Sequence, residues 1–228
     1  MKIMFLNTWE AATGEVLWNY LKEESENCEV FCFMETGDKF RRKCKEILSN
    51  YVCITDKKVV VNKNEYFQST YVRVDNKILK SETLLRFDPC LGLGIFTQIQ
   101  RNNKVWNVAN IHGVAKPGDK LDNPKRLEQS QKIIEYMAKI DGIKLIGGDF
   151  NLEIETESVK MFEKNGYRNL IKEFGIETTR NHFSWDIYPQ KQLWADYLFV
   201  SPEVKVKSFE VPRNEVSDHL PLIVEIEG

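Results

Sequence analysis

The sequence predicts an α/β architecture in which two sheets pack face to face with helices outside, and three observations predict it. Strand and helix signals alternate at both ends of the chain, and a run of short β segments between Tyr51 and Gln100 separates the two ends. No Pro, Gly or Ser-rich linker and no internal repeat divides the 228 residues, so the reading is a single domain over 1–228.

Each element has its own signal. Lys2 to Leu6 is a strand that ends on Asn7, followed by Thr8 and Trp9. From Thr13 to about Glu26, Val16, Leu17, Tyr20 and Leu21 recur at helical spacing after a threonine-glycine start. Glu29 to Met34 is a buried strand that delivers Glu35 before Thr36 and Gly37 break it. A basic amphipathic helix, roughly Asp38 to Ser49, turns Phe40, Cys44, Ile47 and Leu48 inward. Its Lys39, Arg41, Arg42, Lys43 and Lys45 form a solvated face. The β region then runs through Val52–Ile54, Val59–Val61, Tyr66–Val74, Ile78–Phe87 and Gly94–Gln100, with a hairpin expected across Val74–Ile78.

Val105 to Ile111 is a strand that leads into His112 and Gly113. Asn123-Pro124 starts a helix, a cap followed by proline in the first turn, whose apolar face is Leu127, Ile133, Ile134, Tyr136, Met137 and Ile140. Next comes the stretch on which the functional reading centres: a buried strand, Ile143 to Ile146, runs into Gly147-Gly148-Asp149-Phe150-Asn151. Side chains alternate along a strand, so Asp149 and Asn151 face one side while Phe150 anchors the other. The glycines permit unusual backbone angles or a close approach by a ligand. Thr156 to Asn165 is a further helix. Thr178 to Trp185 reads as a loop that groups His182, Ser184 and Trp185. Asp196 lies within an extended Leu193–Val200 run, where burial demands a partner, a histidine or a metal. Strands at Val204–Val211 and Leu222–Ile226 flank Ser217-Asp218-His219.

Composition bounds the functions available. The 42% hydrophobic content supports a substantial core, and 32 basic against 34 acidic side chains leave no global basic field for polyanions, so any such contact is local. Lys39 to Lys45, Lys57-Lys58 and the rings of Trp9 and Trp185 are candidates for it. Cys28, Cys32, Cys44, Cys53 and Cys90 are odd in number and include no CxxC pair, which argues against a disulfide framework or a structural zinc site. With no apolar run long enough for a membrane span, the expectation is a cytoplasmic protein that does not engage membranes, acting as a monomer.

Asn7, Glu35, His112, Asp149, Asn151, Asp196, Asp218 and His219 stand mostly at strand ends or glycine turns. In this order, within LNTW, FMET, NIHG, GGDFN with ADYLFVS, and SDHLPL, they resemble the endonuclease/exonuclease/phosphatase superfamily, the deoxyribonuclease-I-like family, over nearly the whole chain. The resemblance implies a four-layer α/β sandwich with two central, mostly antiparallel sheets and a site at one edge of both. It implies Glu35 as the main metal ligand, with Asn7 beside it and Asp218 near the metal. Asp149 would position or deprotonate the attacking water, and Asn151 and His112 would bind and stabilise the phosphoryl group. His219 would be oriented by Asp196, and Trp185 would pack against substrate. The family usually has glutamine before the metal glutamate, and Met34 stands there instead. The chain is short for the family, which leaves little room for insertions that build substrate grooves.

The chemistry asks for the same residue types. Magnesium prefers oxygen ligands and keeps several waters, so one or two carboxylates suffice, and manganese can substitute. No serine lies in a nucleophile-elbow motif, so water is the attacking group. The leading expectation is a magnesium-dependent phosphodiester hydrolase, a nuclease acting on DNA or RNA. The alternatives are a phosphomonoesterase or a lipid or sugar-phosphate phosphodiesterase on the same fold, and a non-catalytic binding module.

Overall fold

The computed structural model describes residues 1–59, 65–86, 88, 91–187 and 191–227. Cys90, Val61 and Phe87 lie outside them. In chain order the first elements are β1 (Lys2–Asn7), α1 (Glu15–Glu24), β2 (Val30–Met34), α2 (Asp38–Ile47), β3 (Tyr51–Val59) and β4 (Glu65–Arg73). They are followed by β5 (Lys77–Leu84), β6 (Leu93–Arg101), β7 (Lys104–His112), α3 (Pro124–Ala138), β8 (Ile143–Asp149) and α4 (Glu157–Lys164). The last are β9 (Arg168–Asn169), α5 (Leu170–Glu173), α6 (His182–Ile187), β10 (Asp196–Val200), β11 (Val206–Glu210) and β12 (Leu222–Ile226).

Among the described residues the strands form two six-stranded sheets, ordered β11-β12-β1-β2-β4-β3 and β5-β6-β7-β8-β10-β9. In each sheet one central pair is parallel, β1 with β2 and β7 with β8, and the other neighbours are antiparallel. Alternation along the central strands explains the layering. On β1, Ile3 and Phe5 enter the core shared by the two sheets, whereas Met4 and Leu6 join Leu17, Trp18, Leu21, Phe40 and Cys44 of α1 and α2. On β2, Val30 and Cys32 face inward and Phe31 and Phe33 face those helices. The second sheet is covered by Ile133, Ile134 and Met137 of α3 and by Val159 and Phe162 of α4. Strands sandwiched in this way are apolar on both faces, which is why they read as continuous hydrophobic runs.

Several expectations are corrected. Val74–Ile78 is not a hairpin: β4 and β5 lie in different sheets, so this turn carries the chain from one sheet to the other. A short polar turn looks the same in sequence whether the second strand returns to its neighbour or leaves it. Val52–Ile54 and Val59 belong to one strand, β3, and the Thr178–Trp185 stretch contains the start of α6. Val16 is 54% exposed, so α1 buries Leu17, Trp18 and Leu21 instead. The N-terminal half of α3 buries the polar side chains of Arg126, Gln129 and Ser130, while Ile133, Ile134 and Met137 extend the same face as expected. Asn123 caps α3 as predicted, its Oδ1 accepting the Arg126 N–H at 3.1 Å.

Candidate active site

The two sheets bring their central strand ends to the same edge of the molecule. Asn7 closes β1 and Glu35 follows β2, while His112 closes β7 and Asp149 closes β8. Asp196 opens β10, opposite Asp149 in register, and Asp218-His219 precede β12. Residues widely separated in sequence therefore converge because parallel central strands end together.

Local backbone choices aim the side chains. Strict alternation along β2 would place residue 35 with Phe31 and Phe33, on the helix side. Glu35 instead adopts a left-handed backbone, φ 56°, and its Oε1 lies 3.1 Å from Asn7 Nδ2 and 3.7 Å from His112 Nε2 of the opposite sheet. Asn151 is also left-handed, φ 56°, and the N–H groups of Phe150 and Asn151 both donate to the Ala195 carbonyl, at 2.8 and 3.1 Å. The glycines serve packing here. A Cβ on Gly147 would lie 2.8 Å from the Phe5 ring of the facing sheet, and Gly148, φ 130°, passes so close to the Ile111 carbonyl that a Cβ would lie 2.1 Å from it. Phe150, fully buried, meets Phe162, Tyr197 and Phe199 edge-on and anchors the turn from below, as the alternation requires.

One cavity of about 300 Å³ is lined by Trp9, Glu35, His112, Lys120, Asp149, Asn151, Arg180, Asp218 and His219, among others. Asn7 lies beneath it, 1% exposed, and its amide nitrogen donates to Glu35 Oε1 and, at 3.0 Å, to Asp149 Oδ2. The Asn7 Oδ1 accepts the Trp9 N–H at 3.1 Å, so this amide ties two acids to the start of the following turn. Asp149 also accepts the Asn151 N–H at 2.9 Å. Burial by itself pushes the Asp149 carboxyl up, but positive charge at His219, Lys120, His112 and Arg180 holds it below the ordinary carboxylate range.

Asp196 and His219 form a buried pair, with His219 Nδ1 2.8 Å from Asp196 Oδ2 and 3.0 Å from Oδ1. Burial raises the Asp196 carboxyl. For His219 burial is the largest influence and works towards the neutral form, but the carboxylates of Asp196, Asp218 and Asp149 together outweigh it and the imidazole stays protonated to higher pH than usual. Its other nitrogen, Nε2, points towards the cavity, 3.7 Å from Asp149 Oδ2. The partner required for a buried Asp196 is thus a histidine.

The acidic groups suit a hard divalent cation. Glu35 has a quarter of its side chain exposed and Asp218 about an eighth, at 25% and 12%. Among the described residues, Asp149, Asp196 and His219 also place ligand-type atoms within 4.8 Å of one another. The carboxylate oxygens match the preferences of magnesium or manganese better than those of a thiophilic metal.

Two of the residues lining this cavity were not visible in the sequence. Lys120 and Arg180, each 5% exposed, carry no motif or periodicity that marks them. Trp185 is not among the residues lining the cavity. Its indole N–H donates to the Gln192 carbonyl at 3.1 Å, while Trp9 lines the cavity and its ring stands 5.7 Å from that of Phe183. His182 is about half exposed, 3.7 Å from Glu215. Lys58 is buried and donates to the carbonyls of Asp88, Leu91 and Gly92, so it anchors a loop. On α2, Arg41 pairs with Asp38 and covers the Phe67 ring, and Lys43 pairs with Glu46 at 2.8 Å.

The comparisons agree with the fold. No curated protein matches the sequence. Solved structures do match. One is an endonuclease/exonuclease/phosphatase from Bacteroides vulgatus, with TM-score 0.77, 18% identity, and 99% of this chain and 98% of that one covered. Another is a mannosyl-6-phosphatase from Bacteroides thetaiotaomicron, with TM-score 0.76, 17% identity and full coverage of both chains. The human nocturnin catalytic domain with bound sulfate matches with TM-score 0.76 and 19% identity, over 100% of this chain and 93% of that one. The model of the endonuclease/exonuclease/phosphatase family matches residues 7–219, the span from the first site residue to the last, and the chain belongs to this family of phosphate-ester hydrolases.

Proposed function

We propose that the chain is a divalent-metal-dependent phosphodiester hydrolase acting on nucleic acid or a nucleotide-like diester. The observation that carries this reading is the convergence of Glu35, His112, Asp149, Asn151, Asp218 and His219 on one cavity, from four separate segments. Magnesium, or manganese in its place, would be held by Glu35 and Asp218, the more exposed acids, with Asn7 fixing Glu35. Bound there, it would polarise a phosphoryl oxygen and activate water.

The protein's own groups supply the rest. Asp149, kept ionised by its cationic neighbours, orients or deprotonates the water. Asn151 and His112 bind phosphoryl oxygens. His219, held in one tautomer by Asp196, stabilises developing negative charge or transfers a proton. The Trp9 and Phe183 rings beside the cavity favour a substrate with a base to stack on.

A second reading, hydrolysis of a phosphorylated sugar or another phosphomonoester, is favoured by the cavity's modest volume of about 300 Å³. One solved neighbour is described as a mannosyl-6-phosphatase, which accords with this second reading. No helix is long and apolar enough to cross a membrane. The free cysteines Cys28, Cys32, Cys44 and Cys53 fit the reducing cytoplasm, where we place the protein as a monomer.

The test is hydrolysis of single-stranded DNA, duplex DNA with and without an abasic site, RNA, bis-p-nitrophenyl phosphate and p-nitrophenyl phosphate, each with magnesium, manganese or EDTA. Metal-dependent cleavage of a polynucleotide is the expected result. Cleavage of the monoester alone selects the second reading, and no hydrolysis of any ester overturns both.

A further inference from the structure

We propose that Lys120 and Arg180 are catalytic residues that bind the non-bridging phosphoryl oxygens and match the charge that develops during hydrolysis. This rests on the phosphodiester reading above. Both side chains are 5% exposed, and both line the cavity that holds Asp149 and Asn151. A buried lysine and a buried arginine are rarely left in a core without a specific role, since removing each charge from water is strongly unfavourable.

The fold fixes both groups at some expense. Lys120 sits in the 113–122 loop with a left-handed backbone, φ 57°. Arg126, fully buried, clamps that loop by donating to the Val114 carbonyl at 3.2 Å and to Asp119 Oδ1 at 2.9 Å. The Lys120 carbonyl accepts the Glu153 N–H at 2.8 Å, and its ammonium donates to Asn151 Oδ1 at 2.6 Å, next to Asp149. An ammonium has three donors, so this bond leaves hydrogens for a phosphoryl oxygen.

Arg180 is held from the other side. Its Nε donates to Ser184 Oγ at 2.7 Å, and that hydroxyl donates to the Asp218 carbonyl at 2.7 Å. The two terminal nitrogens reach Asp218 Oδ2 at 3.3 Å and His219 Nε2 at 3.2 Å. The guanidinium therefore stands where a phosphoryl oxygen must come to meet His219, and each terminal nitrogen keeps a further N–H.

Charge counting explains the need for two cations. Attack by water on a singly charged diester forms an oxygen–phosphorus bond and breaks the bond to the leaving oxygen, which departs with the electron pair and takes up the proton carried by His219. The proton lost by water passes to the base at Asp149. In the transition state the phosphoryl group carries about two negative charges, one more than the diester. Groups that meet the added charge raise kcat, whereas groups that bind both states equally lower KM alone.

The test compares Lys120→Met, Arg180→Met and Arg180→Lys with the parent on bis-p-nitrophenyl phosphate. Calorimetric titration with inorganic phosphate, with magnesium and with EDTA, is run in parallel, and circular dichroism melting checks the fold. Each Met variant is expected to lose about 10²-fold in kcat with KM changed less than about threefold, as for loss of one oxyanion donor. Phosphate affinity should fall with and without metal. Arg180→Lys keeps the charge but not the two-pronged hold on Asp218 and His219, so it should recover most of the lost kcat. Parent-like kcat in Lys120→Met, unchanged phosphate affinity, or Arg180→Lys as impaired as Arg180→Met would overturn the assignment. If an Arg180 variant fails to fold, Lys120→Met and its phosphate titration decide. A parent inert on every ester is instead a failure of the hydrolase reading, and the phosphate titrations still test the two cations.

Discussion

The two sheets share one plan, a parallel central pair flanked by antiparallel neighbours, yet the groups they deliver to the site differ in their exposure. The sheet built on β1 and β2 contributes Glu35 and Asp218, whose side chains are 25% and 12% exposed. The sheet built on β7 and β8 contributes Asp149 and Asp196, at 2% and 3%. A hydrated cation can reach the first pair from solution without losing all its waters. The second pair is desolvated, and there hydrogen bonds and neighbouring charges act at full strength. On this difference rests the proposed division of labour, with the ion at the more exposed acids and proton handling at the desolvated ones.

Substitutions can break that division, and the largest effect is expected at the desolvated side. Asp149→Ala should lower kcat on a diester by about 10³-fold or more, the range for a general base, in steady-state assays at saturating metal. Asp196→Asn removes the negative charge and turns one of the two oxygens facing His219 into a donor, and should cost about 10²- to 10³-fold in kcat, with metal requirement unchanged. Glu35→Gln should act differently, raising the metal concentration for half-maximal activity by about 10- to 100-fold, as read from magnesium titrations. Equal metal requirements in the last two variants would erase the distinction between the sheets.

Packing between the sheets sharpens it further. Gly147→Ala would place a methyl 2.8 Å from the Phe5 ring, and its overpacking should cost about 1–3 kcal/mol by denaturant unfolding. Val16→Lys on the exposed side of α1 should stay within about 0.5 kcal/mol of the parent.

Much of this was legible in the sequence because strand ends carry their own punctuation. Asn7, Glu35, His112 and Asp149 each stand at the end of an apolar run, and Asp196 betrays itself as a charge inside one. The remainder depended on tertiary placement. Whether Val74–Ile78 returns or crosses between sheets is decided by what β5 finds to pair with, and the local residues are the same in either case. Lys120 and Arg180 look like ordinary surface cations until the loop held by Arg126 and the Arg180–His219 bridge turn them inward. Trp9 and Trp185 were equivalent by composition. The left-handed backbone through Trp9, Glu10 and Ala11 presents the first to the cavity, while Gln192 engages the second. In α3 the buried Arg126 and Gln129 defeat any reading that equates burial with apolarity.

We propose that the cation belongs to the exposed acids of the first sheet, although Asp149, Asp196 and His219 also cluster within 4.8 Å. The direct test is calorimetric titration of Mg²⁺ or Mn²⁺ into the parent, Glu35→Gln and Asp196→Asn. Binding lost in Glu35→Gln and kept in Asp196→Asn is the expected result. The reverse pattern would place the ion in the buried cluster and contradict the account.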